Sequence, residues 1–424
     1  MHKTLILCCA VFLLAASAAA QPEELKFVVI MTRHGVRSPV WTPQHLNQIS
    51  ASPWPDWGVA PGELTPHGRE LMKIMGSFYR DYFSAKGLPG LSGKDCTAAS
   101  RTYFHADSIE RTIVTAQALA ETMLPGCTVA VHHAGKDKDG KDNADPLFVV
   151  AGNGLSESNT ALMVAAVNAR LGSRPDAFID AHKPAFDLLT QVLNGAGKAA
   201  HSIFDEPTST TTGIVLNGPL GSAYTLTESL LLEYEDGMND DRLGWGRLNP
   251  KNLLELMSLH TATADLTQRT LPMARAGGSD LLNYVLSSLE QAATGKPVAG
   301  AAGSPGNSLL VISGHNTNQI FLSGLLRLSW LLPGYQPDYT PPGGALIFTL
   351  WHSPTTGQYS VRLQFVSQTL DQMHNTTPLS LANPPAMTDV FVPGCSTAAN
   401  GYPCGWAAFR TVARSAIAQE FLPK

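Results

Sequence analysis

A short apolar segment near the start of the chain constrains the fold more than any other feature. Phe27-Val28-Val29-Ile30-Met31 is an unbroken hydrophobic run rich in β-branched residues. Such runs are typical of strands that are buried on both faces of a parallel or mixed sheet. The polar run Arg33-His34-Gly35-Val36-Arg37-Ser38-Pro39 follows almost directly. We therefore expect it where a strand ends and the chain turns, which is the ligand-binding edge of open α/β sheets.

A second polar run also follows an apolar strand pattern. Ser308–Ile312 predicts a strand, and Ser313-Gly314-His315-Asn316-Thr317-Asn318 comes next. A strand end followed by a helix start places an imidazole and backbone N–H groups where an anion can bind. Asn316 and Thr317 can equally cap the following helix, and capping does not exclude a role for His315.

The remaining patterns predict strands and helices on both sides of a helical middle. Thr65-Pro66 suits a helix start, because Thr caps helices and Pro fits the first turn, and a second helix is expected from Asp107 to Leu124. Residues 39–62 and 291–307 have loop composition. Further strands are predicted at Thr102–His105, Thr128–His132, Ala345–Leu350 and Tyr359–Val366, and a last helix at Trp406–Phe421.

These elements predict an α/β fold, with a mixed sheet flanked by helices and a smaller, mainly helical inserted domain. The composition changes abruptly in the Lys-, Asp- and Gly-rich segment 134–153, and the patterns from about 150 to 270 are mainly helical. We expect residues 21–145 and 271–424 to form the α/β domain and residues 146–270 to form a helical cap domain.

Composition and charge exclude several classes of protein. The chain has 424 residues, 44% of them hydrophobic, and a formal net charge of -5. That charge gives no general attraction to nucleic acid or anionic membranes, so neither is expected as a partner. A polyanionic ligand would need positive charge gathered in a local pocket.

The first residues predict export. Lys3 precedes an apolar run from Leu5 to Ala16, and Ala18-Ala19-Ala20 is a small-residue cleavage signal. We expect residues 1–20 to be a signal peptide and the mature protein to be periplasmic or secreted. An uncleaved membrane anchor is the alternative, although the run is short for a bilayer span.

Four cysteines remain after the leader: Cys96, Cys127, Cys395 and Cys404. An even number in an exported chain favours two disulfides, and four cysteines allow three connectivities. The short interval from Cys395 to Cys404 favours that pair, which leaves Cys96 with Cys127. A zinc site is the alternative, but the Cys-x-x-Cys spacing it needs is missing from the sequence.

Three groups of residues point to phosphate chemistry. Arg33 and Arg37 flank His34, and guanidinium groups match the oxygens of a phosphate while staying charged at any working pH. A neutral imidazole among them can attack phosphorus. The alternative is a basic surface loop with a chance histidine. Arg111, beside Glu110, would alone be an ordinary ion-paired surface residue and gains weight only from the other two groups.

Together these residues resemble the histidine acid phosphatase family, in particular its bacterial periplasmic phytase and glucose-1-phosphatase group. The Arg-His-Gly-x-Arg-x-Pro run is the most specific match, and the likeness extends along nearly the whole mature chain. Supporting runs are Leu64-Thr65-Pro66-x-Gly68, Asp107-x-x-Glu110-Arg111-Thr112, Gly244-Trp245-Gly246-Arg247, Leu256-x-Ser258-Leu259-His260, Thr340-Pro341-Pro342-Gly343-Gly344 and Gln368-Thr369-Leu370.

The resemblance implies a phosphoglycerate-mutase-like fold and acid phosphomonoesterase activity on sugar or inositol phosphates. His34 would become phosphohistidine, and Arg33, Arg37, Arg111 and His315 would hold the phosphoryl oxygens. The resemblance implies no metal or cofactor and a small phosphorylated substrate as partner. The sequence does not reveal the oligomeric state, for which a monomer is our expectation. Mutase-like transfer is disfavoured by the export signal and the cysteines.

The chain departs from that family at Asn316, where the family has the Asp that protonates the leaving oxygen. Asn cannot supply that proton, and general acid catalysis contributes about a hundred- to ten-thousand-fold. Glu110 or Glu228 could substitute, the enzyme could favour good leaving groups, or the chain could be a catalytically weakened phosphate-ester-binding homologue.

A second departure lies in the substrate pocket. Val40 and Trp41 stand where phytases of the group carry Thr-Lys, so one cation for a polyanionic substrate is missing. His260 matches a pocket position of the group and could compensate in part. It could equally be a packed residue at a helix end. We place Trp41, Glu228 and His260 in the expected substrate pocket.

Overall fold

The structure, a computed structural model, describes residues 22–88, 91, 96–150, 155–172, 175–205, 211–212 and 215–423. The strands are β1 (Glu24–Arg33), β2 (Thr102–Ala106), β3 (Val131–His132), β4 (Thr211–Thr212), β5 (Val215–Leu216), β6 (Leu309–Gly314), β7 (Ala345–Ser353), β8 (Gln358–Ser367), β9 (Ala386–Val390) and β10 (Cys404–Gly405). The helices are α1 (Pro43–Ile49), α2 (Pro66–Ala85), α3 (Glu110–Met123), α4 (Glu157–Leu171), α5 (Pro175–Ala181), α6 (Lys183–Asn194), α7 (Pro219–Glu235), α8 (Pro250–Thr267), α9 (Leu271–Thr294), α10 (Asn316–Leu326), α11 (Leu370–His374) and α12 (Trp406–Ala416).

One mixed sheet organises the molecule. Its strand order is β10-β8-β7-β1-β6-β2-β3, with β9 also paired to β8. Strands β1, β6, β2 and β3 run parallel, whereas β7 is antiparallel to β1 and β8 is antiparallel to β7. The predicted mixed sheet flanked by helices is confirmed.

The central strand β1 is buried on both faces, as its apolar run predicts. Val29 and Met31 face one side, in an apolar core shared with α9, α10 and α12. Val28 and Ile30 face the other side, where α2 and α3 supply the core. Successive side chains of a strand point to opposite faces, so a continuous apolar run is needed between two helical layers.

The parallel strands bring distant segments to one sheet edge. In the register of β1 and β6, Arg33 is the partner of Gly314, and in the register of β2 and β6, Ala106 is the partner of Ser313. The residues that follow these three strands therefore meet, although they are separated by as many as about 280 positions in the sequence. This edge is the position expected for a ligand site.

The helices between residues 157 and 267 surround a different apolar core. Leu189 of α6, Leu226 and Leu230 of α7, and Leu253 and Leu256 of α8 are buried within it. This observation supports the mainly helical character predicted for the middle of the chain. The boundaries of the cap domain at 146 and 270 stay a prediction.

The structure differs from the sequence predictions in several elements. Helix α1 lies inside the segment 39–62 that was expected to be loop, because the Thr42 side chain accepts the backbone N–H of His45 and Pro43 occupies the first turn. The predicted strand Thr128–His132 is reduced to Val131–His132. Helix α9 covers residues 271–290, for which no element was predicted, and continues to Thr294, inside the predicted loop 291–307. Helix α12 ends at Ala416, before a separate 3₁₀ turn.

Both predicted disulfides are present. Cys96 is bonded to Cys127 and Cys395 to Cys404, with Cα–Cα distances of 5.5 and 5.2 Å. The predicted signal peptide, residues 1–20, lies outside the described residues. In the part of the chain that the structure covers, every helix is too short or too polar to cross a membrane.

Candidate functional site

The loop after β1 is fixed by backbone hydrogen bonds. The His34 N–H donates to the Gly314 carbonyl at 2.9 Å, and the His34 carbonyl accepts from the Gly343 N–H at 2.9 Å. The next N–H, that of Gly35, donates to Thr115 Oγ1 at 2.9 Å. These bonds come from three separate parts of the chain and fix the backbone on both sides of the His34 side chain. Only 2% of the surface of His34 is exposed.

Close packing also explains the glycine at position 68. Gly68 lies in the first turn of α2, directly against the backbone of Val36, and a Cβ at Gly68 would collide with that backbone. Thr65 caps the helix by accepting the Gly68 N–H at 2.9 Å. The first turn of α2 therefore packs against the loop that carries His34 and helps to fix it.

The tautomer of His34 follows from its hydrogen bond. Its Nδ1 lies 2.8 Å from the Gly35 carbonyl oxygen. A carbonyl can only accept, so Nδ1 carries the proton in the neutral ring. The lone pair is therefore on Nε2, the nitrogen available for attack on an electrophile.

Arg33 and Arg37 share one carboxylate. Arg33 Nη2 donates to Glu228 Oε1, and Arg37 Nη2 donates to Glu228 Oε2. A second nitrogen of Arg33 donates to the Thr340 carbonyl at 2.7 Å. Glu228 is buried, and its pKa is lowered below the ordinary 4.5, because both guanidinium groups together outweigh the opposing effect of burial.

Two more basic groups complete the cluster. Arg111 donates to the Gly62 carbonyl at 3.2 Å, and burial and then the nearby Arg37 lower its pKa to about 10, so it stays charged at neutral pH. The His315 ring lies edge-on to His34, with ring centroids 5.6 Å apart. His315 Nε2 is 2.7 Å from Asp107 Oδ2.

This surrounding charge acts on His34. Burial, the largest cause, lowers its pKa well below the ordinary 6.5, and the positive charges of Arg111, Arg33 and Arg37 lower it further. The ring is therefore neutral at weakly acidic pH. The sequence predicted a local concentration of positive charge in an acidic chain, and the structure brings His34, Arg33, Arg37, Arg111 and His315 together.

Asn316 contacts a residue that the sequence analysis did not single out. Its Nδ2 donates to the Tyr224 hydroxyl oxygen at 2.8 Å. The Tyr224 ring is stacked on His260, with centroids 4.0 Å apart, and His260 Nδ1 donates to the Tyr224 carbonyl at 3.0 Å. Asn316 is thus tied to α7 and α8 rather than to the sheet.

The other pocket residues separate into two places. His260 is buried beside Tyr224. Burial lowers its pKa to about 4, so its ring is neutral at weakly acidic and neutral pH. Trp41 lies in the loop after the His34 segment, edge-on to His45 at 4.6 Å, and packs against the helical core. Glu110 accepts the Leu64 N–H at 3.0 Å.

The suggestion that Glu228 could replace the missing proton donor is wrong. Its two oxygens are engaged by two arginines, and its lowered pKa keeps it ionised. A carboxylate held in this state accepts hydrogen bonds and has no proton to give. Glu228 is instead the counter-ion of Arg33 and Arg37.

The matches to known proteins place the chain in a family. Residues 24–169 and 222–366 match the model of the histidine phosphatase superfamily (branch 2). The chain belongs to this family. It is therefore a hydrolase of the histidine acid phosphatase type, as its sequence motifs predict.

The matches extend over whole proteins. The chain is 33% identical to phytase AppA of Escherichia coli K12 over 95% of its own length and 94% of that protein. It is 26% identical to a glucose-1-phosphatase of Providencia rettgeri, covering 99% and 100%. The Hafnia alvei phytase structure with tartrate superposes with a TM-score of 0.84 at 32% identity, covering 96% of this chain and 100% of that one. Because these relatives are named as enzymes, the alternative of a weakened binding homologue gains no support.

Two polar residues of this histidine phosphatase were missed by the sequence analysis. Asp107 was named only as the first residue of a predicted helix and of the run that contains Arg111, yet it pairs with His315. Its position directly after β2 was the available signal, because β2 was predicted to be a strand like the others. Tyr224 gave no comparable signal, since one aromatic residue in a helical segment is usually a core residue.

The described part of this histidine phosphatase was searched for groups of metal-ligating side chains. Among the residues that the structure describes, His, Cys, Asp and Glu form no group of three or more that could hold an ion. At the His34 site, the carboxylate of Asp107 and the imidazole of His315 are paired with each other.

A second buried carboxyl, Glu235, lies behind Arg33 and makes stability depend on pH. Both of its carboxyl oxygens are buried without a hydrogen-bond partner among the described residues. Burial, the largest cause, raises its pKa to about 8, against the lowering effect of Arg33. The folded state therefore binds this proton more tightly than the unfolded state, for which the ordinary pKa is 4.5.

We expect the free energy of unfolding to fall as pH rises from about 5 to 8, since ionising Glu235 in place costs on the order of 1.4 kcal/mol per unit of pKa shift. Glu235→Gln should make this slope shallower, with the remainder due to Glu233, whose pKa burial also raises to about 8. The exposed Glu255→Gln should leave the slope unchanged. Urea unfolding across this pH range measures the effect. Identical slopes in wild type and Glu235→Gln would contradict it.

Proposed function

We propose that this protein hydrolyses phosphate monoesters through a phosphohistidine formed at Nε2 of His34. The single observation that carries the proposal is the tautomer of His34. Its proton is committed to the Gly35 carbonyl through Nδ1, and its pKa is well below 6.5. The lone pair on Nε2 is thus free for attack at the pH at which the arginines bind a phosphate.

The other basic groups suit the phosphoryl oxygens. Arg33, Arg37 and Arg111 supply guanidinium N–H groups, and the charge on these oxygens grows as the ester bond breaks. Burial, the largest cause, lowers the pKa of His315 below the ordinary 6.5, and the hydrogen bond with Asp107 opposes this lowering. In the second half of the reaction, water attacks the phosphohistidine and phosphate leaves.

The proposed substrates are sugar or inositol phosphates. Proteins named phytase and glucose-1-phosphatase match the chain over nearly their whole length. We call Arg33, Arg37, Arg111 and His315 the phosphate clamp. Val40 and Trp41 supply no further cation beside it, which favours substrates with few phosphate groups over inositol hexakisphosphate. We also propose that the enzyme is exported, periplasmic or secreted, and monomeric, with no nucleic-acid partner; the two disulfides support export.

A substrate panel tests this proposal. Phytate, glucose 1-phosphate and 4-nitrophenyl phosphate should each be incubated with the purified mature enzyme at weakly acidic pH, and phosphate release measured. We expect release from the aryl phosphate and from glucose 1-phosphate, with phytate the slower of the two natural esters. Absence of release from all three would contradict the proposal.

The pH dependence of activity offers a sharper test of the site. Among the nearby charges, that of Arg111 lowers the pKa of His34 the most. Arg111→Gln should therefore raise that pKa. The acid limb of kcat/KM, which reports His34 in the free enzyme, should then move to higher pH. The measurement is a pH profile with 4-nitrophenyl phosphate for wild type and Arg111→Gln.

The matched control is Arg69→Gln, which removes a surface arginine paired with Glu121 at 2.7 Å. Its profile should overlay that of wild type. The substrate's own second ionisation is common to all three enzymes and cancels in the comparison. An unmoved acid limb in Arg111→Gln would contradict the assignment of that limb to His34.

A further inference from the structure

We propose that the hydroxyl of Tyr224 protonates the leaving oxygen of the substrate, in the place of the carboxylic acid that Asn316 cannot supply. The inference rests on the proposed function, because it concerns the same site and the same reaction. Its basis is the geometry around the phenol, which lies on α7 and faces Asn316 from the helical side of the site.

The hydrogen-bond arrangement leaves the phenolic proton uncommitted. Asn316 Nδ2 donates to the hydroxyl oxygen at 2.8 Å, and Gln268 Nε2 donates to the same oxygen at 3.4 Å. Both amides use the oxygen as an acceptor, so the O–H of Tyr224 is free to donate to a third group. Among the described residues, this O–H donates to none.

The position of the hydroxyl suits a leaving oxygen. Asn316 directly follows His315, whose ring is 5.6 Å from that of His34. Tyr224 itself is close enough to Arg33 and Glu228 for both charges to affect its pKa. The phenol therefore lies beside the phosphate clamp and on the Asn316 side of it.

The ring is also held rigidly, as a proton donor requires. The stacking on His260, with an angle of 12° between the rings, fixes its plane. The hydrogen bond from His260 Nδ1 to the Tyr224 carbonyl fixes the backbone of the same residue. His260 thereby acts as a positioning residue for Tyr224, which gives it a role other than contact with a distal phosphate.

The proton transfer balances. As the bond from His34 Nε2 to phosphorus forms, the phosphorus–oxygen ester bond breaks and its electron pair passes to the leaving oxygen, which takes the proton of Tyr224. The N–H groups of Asn316 and Gln268 stabilise the resulting phenolate. In the second step water attacks phosphorus, gives its proton to the phenolate, and the bond from His34 to phosphorus breaks to release phosphate.

The protonation state supports this role. Burial, and then the charge of Glu228, raise the pKa of Tyr224 to about 12. The phenol therefore stays protonated at acidic and neutral pH, whereas an Asp with the ordinary pKa of about 3.9 would be ionised over most of that range. Transfer to the leaving alkoxide is favourable, because an alkoxide is about as basic as hydroxide and therefore more basic than a phenolate.

The experiment compares an alkyl and an aryl substrate. Tyr224→Phe should lower kcat on glycerol 2-phosphate by about a hundredfold or more. It should change kcat on 4-nitrophenyl phosphate far less, because 4-nitrophenolate leaves without a proton. Tyr234→Phe is the matched control, since it removes another α7 hydroxyl that donates a hydrogen bond, to Asp371 at 3.0 Å, and it should leave both rates near those of wild type.

A double variant guards against a purely structural effect. Asn316→Asp in the Tyr224→Phe background should restore much of the alkyl rate and introduce a basic limb, set by the pKa of the new carboxyl, that wild type lacks. Equal losses on both substrates, or no loss on either, would overturn the role of Tyr224. Failure of wild type on 4-nitrophenyl phosphate would instead overturn the proposed function, and this inference with it.

Discussion

Replacing His34 with Ala is expected to lower kcat by about ten-thousandfold or more and to abolish the covalent intermediate. The substitution removes the only group proposed to bond to phosphorus, and removal of a nucleophile costs far more than loss of one binding contact. The arginines should still bind phosphate, so KM should change much less than kcat. Steady-state kinetics with 4-nitrophenyl phosphate provide the measurement.

A histidine outside the site serves as the control. His132 is exposed on β3 and stacks on Tyr103, and His132→Ala should retain wild-type kcat. Inorganic phosphate should still inhibit or bind His34→Ala, which would show that the clamp survives. A His34→Ala enzyme that released phosphate at an undiminished rate would refute His34 as the nucleophile.

Glu228→Gln is expected to cost about 3–5 kcal/mol in the free energy of unfolding, because it leaves the charges of two buried arginines without their counter-ion. Arg33 is completely buried and Arg37 is 6% exposed. Neither charge can recover its hydration in the folded state. Equilibrium urea unfolding in a phosphate-free buffer measures the loss.

Phosphate should reverse much of this loss. A bound phosphate supplies the negative charge that Glu228 provided, so it should raise the unfolding midpoint of Glu228→Gln more than that of wild type. Similar midpoint shifts in the two proteins would contradict the view that Glu228 and phosphate neutralise the same arginines.

The surface offers a matched comparison for this variant. Glu290 also bridges two arginines, Arg410 at 3.5 Å and Arg414 at 3.0 Å, but those arginines are partly exposed. Glu290→Gln should cost no more than about 1 kcal/mol, because water screens and solvates the remaining charges. Equal costs at the two sites would contradict the importance of burial at Glu228.

The acid range in which the ion pairs survive follows from the direction of the pKa shift. The pKa of Glu228 is lower in the folded state than the ordinary 4.5. Its stabilising contribution is therefore complete above about 4.5 and is lost only as pH falls towards the lowered folded-state value. At weakly acidic pH the Glu228 pairs are intact, while Glu235 remains protonated and imposes no charge.

The sequence predicted the sheet edge of the site well, for a physical reason. Segments 33–37 and 313–318 each follow an apolar strand, and parallel strands must bring their carboxyl ends to one edge. Local pattern therefore placed His34 and His315 each at a strand end, and the parallel pairing of β1 and β6 brings those ends together. The same argument, applied to the strand 102–106, would also have placed Asp107 beside them.

The helical side of the site was beyond this reasoning. Glu228 and Tyr224 lie on α7, which is buried nearly all round, so spacing along the chain does not reveal which residue faces the arginines. His260 is one of several buried residues on α8. The counter-ion role of Glu228 arises from packing of one helix against the sheet edge. Helix α9 was missed for the same reason, since much of its surface is buried.

The most direct measurement is to trap the phosphorylated enzyme. Wild-type protein is mixed briefly with 4-nitrophenyl phosphate, quenched without acid because phosphohistidine is acid-labile, and digested for mass spectrometry. The proposed mechanism predicts one added phosphoryl group on the peptide that contains His34, and none in His34→Ala. Phosphate release by wild type with the phosphoryl group on another residue, or undiminished release by His34→Ala, would contradict it.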